Sequence, residues 1–410
     1  YEVIDGQARP GFNDHDDLIS LRTILGAEYR AGPVRFVGEM HDSRVWEDDA
    51  GAPVTTNEVN TFELVQAYVA ADFDSPFAAK GKASIQAGRF TLNLGSRRLV
   101  AADDYRNTTN GYTGVRLDAA LPAGMKGTAA WVMPHVRLPD DRRSMRDSQT
   151  EWDQENDDLV IWGVVVSRPN SLGKVMLEGS YFHFEEQDAP GRPTRDRSLD
   201  SVSLRVVRDP AAGQFDYEVE VIGQTGEISA GLGPAAATLD VEAGFAHAEI
   251  GYSVPSAWKP RLSAEIDYAS GDDRDTSYGR FDTLFGMRRA DFGPSGIYNA
   301  VGRANIVSPG VRLELTQSPR LDSMLAARAL WLASASDSFS TTGVRDPAGD
   351  SGRFAGYQLD GRVRYWLVPE ALRLEANGVW LAKGRFLETA PNAPDGRDTL
   401  YLSLSLSAFF

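Results

Sequence analysis

Residues 354 to 367 read FAGYQLDGRVRYWL, and the order of side chains in that stretch decides the fold. Tyr357, Leu359, Val363, Tyr365 and Leu367 fall on one face of an extended chain; Gln358, Asp360, Arg362 and Arg364 fall on the other. Successive side chains of a strand point to opposite faces, so this alternation marks a strand with one apolar and one polar surface. Helix-period patterns of useful length are absent from the chain.

The same signature recurs outward from that stretch. Residues 371 to 380 set Leu372, Leu374, Ala376 and Trp380 against Arg373, Glu375 and Asn377. The final segment sets Leu400, Leu402, Leu404, Leu406, Ala408 and Phe410 against Tyr401, Ser403, Ser405 and Ser407. In residues 213 to 224, Phe215, Tyr217, Val219 and Val221 oppose Asp216, Glu218, Glu220 and Gln224; in 258 to 270, Leu262, Ile266 and Tyr268 oppose Arg261, Ser263, Glu265 and Asp267. A run of about ten residues is long enough to cross a bilayer at the tilt of a barrel strand.

The connections alternate in length. Short ones fall near Gly32-Pro33, Leu121-Pro122, Pro169-Asn170, Asp209-Pro210, Ser318-Pro319 and Pro369-Glu370. Long polar ones span roughly 46–58, 94–109, 138–158, 185–199, 226–236, 270–306, 334–354 and 383–398. Such segregation predicts an all-β fold: a transmembrane antiparallel β-barrel with short periplasmic turns and long extracellular loops. About seventeen strands are legible from residue 17 onward. An even number requires a partner before them, for which residues 1 to 9 are the candidate, giving about 18; sixteen follows if 33–46 and 82–94 are not strands. Nothing divides residues 1–410 into a second domain. Tyr29, Tyr181, Tyr268, Trp331 and Trp380 lie near the ends of apolar faces, as interfacial girdles do.

Composition agrees once alternation is recognised. The 410 residues carry 42 Lys+Arg against 58 Asp+Glu, a net charge of −16, and no cysteine. Disulfide scaffolds, cysteine-ligated metals and thiol nucleophiles are excluded, and the acidity argues against a nucleic-acid partner. The longest apolar run, Leu159 to Val166, is far too short for a spanning helix. The opening YEVIDGQARP has no signal-peptide features, so for an outer-membrane protein the expectation is that a signal peptide has already been removed.

Five stretches carry a family resemblance: GRFTLNLGSRRLVAADDYRNTTNGYTGVRL (88–117), FDTLFGMRRADFGPSGIY (281–298), NIVSPGVRLEL (305–315), RALWLASASD (328–337) and VRDPAGDSGRFAGYQLDGRVRYWL (344–367). With these the chain resembles the alginate-export family of outer-membrane barrels. The resemblance implies an eighteen-stranded barrel in the outer membrane of a Gram-negative bacterium, acting as a passive conduit without enzymatic activity or cofactor. In the best-known members the conduit secretes an anionic uronic-acid polymer through an arginine-rich bore.

Carried onto this sequence, the pore-lining candidates are Arg89, Arg97, Arg98, Arg116, Arg312, Arg328, Arg362, Arg364 and Arg373. Arginine suits bidentate contact with carboxylates. Acids share the same faces: Glu178, Glu218, Glu220, Glu242, Glu265, Asp267, Glu314, Asp360 and Glu375 all read as lumen-facing. Arg312 and Glu314, Arg373 and Glu375, and Asp360 and Arg362 stand two apart on their strands. That spacing favours wall-bracing ladders, or the transverse field of a diffusion porin, over a uniformly positive bore. The expected solutes are therefore anionic polysaccharide or small polar and anionic molecules; a structural or adhesive barrel with a loop-plugged lumen is the alternative.

In the longest connection, Arg288 and Arg289 are expected to constrict the pore mouth. Asp272, Asp273 and Asp275 are weak candidates for Ca²⁺, since they lack the EF-hand pattern; a solvated acidic rim is the simpler reading. Expected partners are outer-membrane lipids, lipopolysaccharide and periplasmic export proteins. Neither HExxH nor GxSxG occurs, and His183 in YFHFEE is a strand histidine that an acid and a serine from neighbouring strands would have to complete.

Overall fold

The computed structural model describes the chain apart from residues 47–48, 79, 104–105, 190, 234, 274–275, 288–291, 295 and 395. Eighteen barrel strands stand among the described residues: β1 Glu2–Asp5, β2 His15–Ala31, β3 Val34–Trp46, β4 Asn60–Asp74, β5 Lys82–Phe90, β6 Tyr112–Ala120, β7 Lys126–Pro134, β8 Leu159–Arg168, β9 Val175–Glu186, β10 Ser198–Arg208, β11 Phe215–Ser229, β12 Thr238–Ser253, β13 Arg261–Ala269, β14 Ile306–Ser318, β15 Leu321–Trp331, β16 Phe354–Val368, β17 Leu372–Lys383 and β18 Thr399–Ala408. Each pairs antiparallel with the next. The four residues of β1 close the ring, pairing Glu2–Asp5 with residues 403–400 of β18 and 18–15 of β2. The segments 33–46 and 82–94, whose omission would have given sixteen, both contain strands. A two-residue piece, Ser277–Tyr278, pairs parallel with β12 beside the barrel ladder.

The registers place every long connection at one end, the loop end, and every short one at the other, the turn end. Two single-turn helices, α1 (Arg142–Arg146) and α2 (Arg385–Thr389), lie within the long connections.

The wall is inverted relative to a water-soluble protein. On β16 Tyr357 is 58% exposed and Val363 48%, whereas the intervening Gln358 and Asp360 are 1% and 3% exposed. Leu400, Leu402, Leu404 and Leu406 of β18 are likewise exposed. Only a solvent of hydrocarbon makes that apolar exterior favourable, and closure leaves no unpaired edge to meet it. Two aromatic rings bound the apolar band. Trp46, Trp131, Trp162, Tyr268, Tyr357 and Trp380 mark the loop side; Tyr29, Phe36, Phe215 and Tyr365 mark the turn side. Tyr181 packs on Trp162 in the upper ring. Among the described residues no helix is long and apolar enough to cross a membrane, and the spanning is done by strands.

The apolar core sits inside the barrel at the loop end. Phe90, Tyr112, Phe184 and Phe245 from the strands meet Phe281, Phe292, Tyr298, Phe339 and Phe386 from the loops. The long connections are rich in buried apolar side chains, and burying them draws those loops into the bore.

Candidate functional site

Two loops meet inside the barrel. The first, 91–111, turns back at residues 94–100: Leu94 and Val100 form an isolated bridge, and the Arg97 amide donates to the Leu94 carbonyl at 2.9 Å. Arg97 adopts a φ of 66°, a left-handed conformation that costs a non-glycine residue about 1–3 kcal/mol. Its neighbours hold it there. Ser96 Oγ donates to Glu220 at 2.9 Å, and the Arg98 guanidinium donates to Glu218 and Glu220, each at 2.5 Å, on the wall of β11.

The second loop, 270–305, docks on that tip. Phe285 N donates to Leu99 O and Ala101 N to Phe285 O, both at 3.1 Å, and Met287 N donates to Arg97 O at 2.9 Å. Gly286 allows the approach, since a Cβ there would lie 2.0 Å from the Arg98 carbonyl oxygen. The loop continues across the bore. Gln358 Nε2 donates to Phe292 O at 2.5 Å, Arg9 Nη2 to Ile297 O at 2.7 Å, and Ile297 N to Glu2 Oε2 at 3.0 Å. The lumen is thus narrowed by backbone ribbons tied to β1, β11 and β16. Arg288 and Arg289, the expected constriction residues, lie outside the described residues.

Below and around these ribbons the inward faces form a mosaic of ion pairs. Arg205 bridges Glu178 at 3.2 Å and Glu218 at 3.1 Å. Arg261 holds Asp216, Glu249 at 2.6 Å and Glu314 at 2.9 Å, joining four strands through one guanidinium. Arg328 meets Glu265 at 2.6 Å, with Arg312 at 3.4 Å from the same carboxylate. Toward the turn end Arg364 and Arg362 lie 2.9 and 4.0 Å from Asp322, Arg373 lies 3.8 Å from Glu375, and Arg116 lies 2.7 Å from Asp118. Asp360 accepts from Gln358 at 3.2 Å. Arg97 differs from all of these: it is exposed inside the bore, and no ion pair joins it among the described residues.

Two side chains lie elsewhere than the sequence pattern suggested. Arg89 is not in the bore. It shares the parity of Ile85 and stands opposite Ala67 and Thr113, on the outward face where Val69 and Val115 are exposed. There it binds Glu63 at 2.6 Å and Glu155 at 2.5 Å beneath loop 135–158. Glu242 is also outward, opposite Thr225, because the inward set of β12 is Val241, Phe245 and His247. Asp272 accepts from Gly279 N at 3.3 Å, Asp273 is exposed and Asp275 lies outside the described residues; among the described residues no cluster of acids or histidines is arranged to hold a metal.

Arg205 and Arg261 were absent from the sequence-predicted set. Each sits beside an exposed leucine, Leu204 and Leu262, so strand parity was the signal that marks them. At the mouth the loops enclose a polar cavity of about 710 Å³. Arg106 and Arg137 both donate to Asn57 and Asn110 there, and Arg280 meets Asp337 at 2.7 Å. His183 faces outward with Tyr181. Both reach Asp200, at 3.0 and 2.5 Å, and His183 packs against Trp162 in the upper girdle.

A closed antiparallel barrel of eighteen strands, apolar outside and charged inside, with loops folded into its lumen, is an outer-membrane channel of the porin type. Among solved structures the chain is similar to the outer membrane protein OpdK of Pseudomonas aeruginosa (TM-score 0.59, 10% identity, covering 100% of this chain and 96% of that one). It is also similar to OccAB1 of Acinetobacter baumannii (0.59, 13%, 100% and 94%) and to Pseudomonas aeruginosa OccK2 (OpdF) in complex with glucuronate (0.58, 15%, 100% and 96%). At such identities the likeness is one of fold. A comparison with proteins of curated function gives no significant match. The sequence model of the alginate export family matches residues 5–399, and the chain belongs to that family.

Proposed function

We propose that the barrel passes small anionic or polar solutes across the outer membrane by passive diffusion, with its loop end outside the cell and its turn end in the periplasm. Export of an anionic polysaccharide is the specialised form of the same activity. The observation that carries this reading is the contrast at the constriction: the wall arginines are neutralised by carboxylates, while Arg97 is held on a fixed turn with its guanidinium open to the bore. A passing carboxylate meets the exposed Arg97 guanidinium among wall charges that are already paired, which favours anions without trapping them. Arg98, Arg116, Arg312, Arg328, Arg362, Arg364 and Arg373, with Glu314, Asp360 and Glu375, brace the wall and shape the field across it. The glucuronate in the OccK2 complex is a uronate, the class of anion this arrangement suits. The exposed apolar band takes outer-membrane lipid and lipopolysaccharide as its surroundings.

Reversal potentials in planar bilayers under a KCl gradient, with glucuronate and oligouronates as blockers, test the reading. Anion preference with block by either compound is expected, and Arg97→Ala should lower the preference. Cation preference without block would overturn it. The packing of loop phenylalanines in the bore favours one alternative, a structural or adhesive barrel with a plugged lumen, which predicts no conductance at all.

A further inference from the structure

Loop 135–158 straddles the rim. Its first limb lines the mouth cavity through Val136, Arg137 and Asp140, while its returning limb lies over β4 and β5. Backbone bonds between Val136 and Gln154 join the two limbs at 2.8 and 3.1 Å, and one side chain beside them ties both limbs to the wall. The Asp153 carboxylate accepts from Leu138 N at 3.0 Å on the first limb and from Asn60 Nδ2 at 3.0 Å on β4. Its own amide donates to Glu63 Oε2 at 2.8 Å, and its carbonyl accepts from Arg89 Nη2 at 2.9 Å.

The charges around that fastening do not balance. Glu63 on β4 and Glu155 on the loop both pair with the Arg89 guanidinium of β5, which reaches Asp153 through its backbone carbonyl and not through its carboxylate. Arg137 acts on Asp153 from farther along the loop. His135, at the end of β7, gives no compensating charge at neutral pH, since burial and Arg89 push it down to about 4. Glu63 and Asp153 are both buried. Two like charges in a buried site are relieved when one of them takes a proton.

We propose that loop 135–158 is held over the mouth by a proton-dependent clasp centred on Asp153, closed in acid and loosened as Asp153 ionises beside Glu63. Burial and Glu63 push the Asp153 carboxyl up to about 7. The fastened loop therefore binds the proton more tightly than a released loop, where Asp153 returns to an ordinary carboxylate. The advantage of the closed state is full below the ordinary value and is lost as pH rises through about 7. The moving limb lines the mouth, so the clasp sets access to the bore.

Two readouts on the full barrel test this. The first is single-channel open probability between pH 5 and 8.5, which rests on the channel reading above. The second is the emission of Trp152, isolated by subtracting a Trp152→Phe variant in vesicles, which needs no conduction. A transition near neutrality is expected in both, with opening on the alkaline side. Asp153→Asn, which keeps the acceptor for Leu138 N without ionising, should abolish the transition and hold the loop closed. Glu63→Gln should move the transition to lower pH, and it serves as the test if Asp153→Asn does not fold. A flat Trp152 profile in the native chain, or an unaltered transition in both variants, would overturn the clasp. A silent bilayer with a normal Trp152 transition would overturn the channel reading and leave the clasp standing.

Discussion

The two halves of the bore fill their interiors differently. Near the loop end the lumen is packed with side chains in the manner of a soluble core: Phe245 stacks on Phe281 at 5.6 Å between centroids, and the Arg328 guanidinium lies 5.2 Å above the Phe292 ring while paired with Glu265. Near the turn end the interior is wet, and Arg364 and Asp322 hold each other with about a third of each side chain exposed. One ladder of strands thus encloses a tightly packed constriction at one end and a more open interior at the other. The same Arg–carboxylate chemistry has different energetic weight in each, because water screens a pair at the turn end and not at the loop end.

That contrast can be broken from its upper half first. Removing the ribbon of residues 282–300 takes the crossing strap out of the bore, and a severalfold rise in single-channel conductance is expected; unchanged conductance would mean the strap does not limit flow. Next is the buried pair. Arg328→Met removes the shorter of the two arginine contacts to the buried Glu265, and a loss of about 3–5 kcal/mol is expected for breaking a buried pair. Denaturant unfolding in vesicles measures it, and adding Glu265→Gln should recover most of the loss.

The outer wall gives a third, somewhat smaller effect. Leu325→Arg places a cation on the lipid face near mid-barrel and should cost about 2–4 kcal/mol, read by the same unfolding experiment. A loss below that range would place Leu325 closer to the interface than the girdles imply. The smallest effect belongs to the turn end. Asp322→Ala removes the partner of Arg364 and should cost under about 1 kcal/mol, as exposed pairs do. A loss equal to that of Arg328→Met would erase the distinction between the two halves.

Much of the architecture was legible in the sequence because a strand's period of two is a local property. The alternation in 354–367 needs no knowledge of neighbours, and the lengths of the connections follow directly from it. The ion pairs were less accessible. Spacing along a strand suggested Arg312 with Glu314 and Asp360 with Arg362, but Arg312 reaches Glu265 and Glu314 reaches Arg261, both across strands. Of the three pairs that spacing suggested, Arg373 with Glu375 keeps the along-strand pairing. Cross-strand partners depend on register, which the hydrophobic pattern of a single strand does not contain. Arg89 was misplaced for a related reason: it lies one residue from the end of β5, where few alternating neighbours fix the phase. The inward folding of the loops was hidden because Phe281, Phe292 and Phe339 are scattered among polar residues, with no period to announce a buried face.

The pairing of charges along the wall also bears on how the pore responds to the salt around it. A uniformly charged bore keeps its own cloud of counter-ions, so its conductance levels off when the bathing electrolyte becomes dilute. Here nearly every guanidinium named on the wall finds its carboxylate within 4.0 Å, a fraction of the screening length of roughly 10 Å at 0.1 M salt. Such a wall retains little standing cloud. Its current should fall in proportion to the electrolyte as the medium is diluted, and the pore would run at the ionic strength of whatever water surrounds the cell.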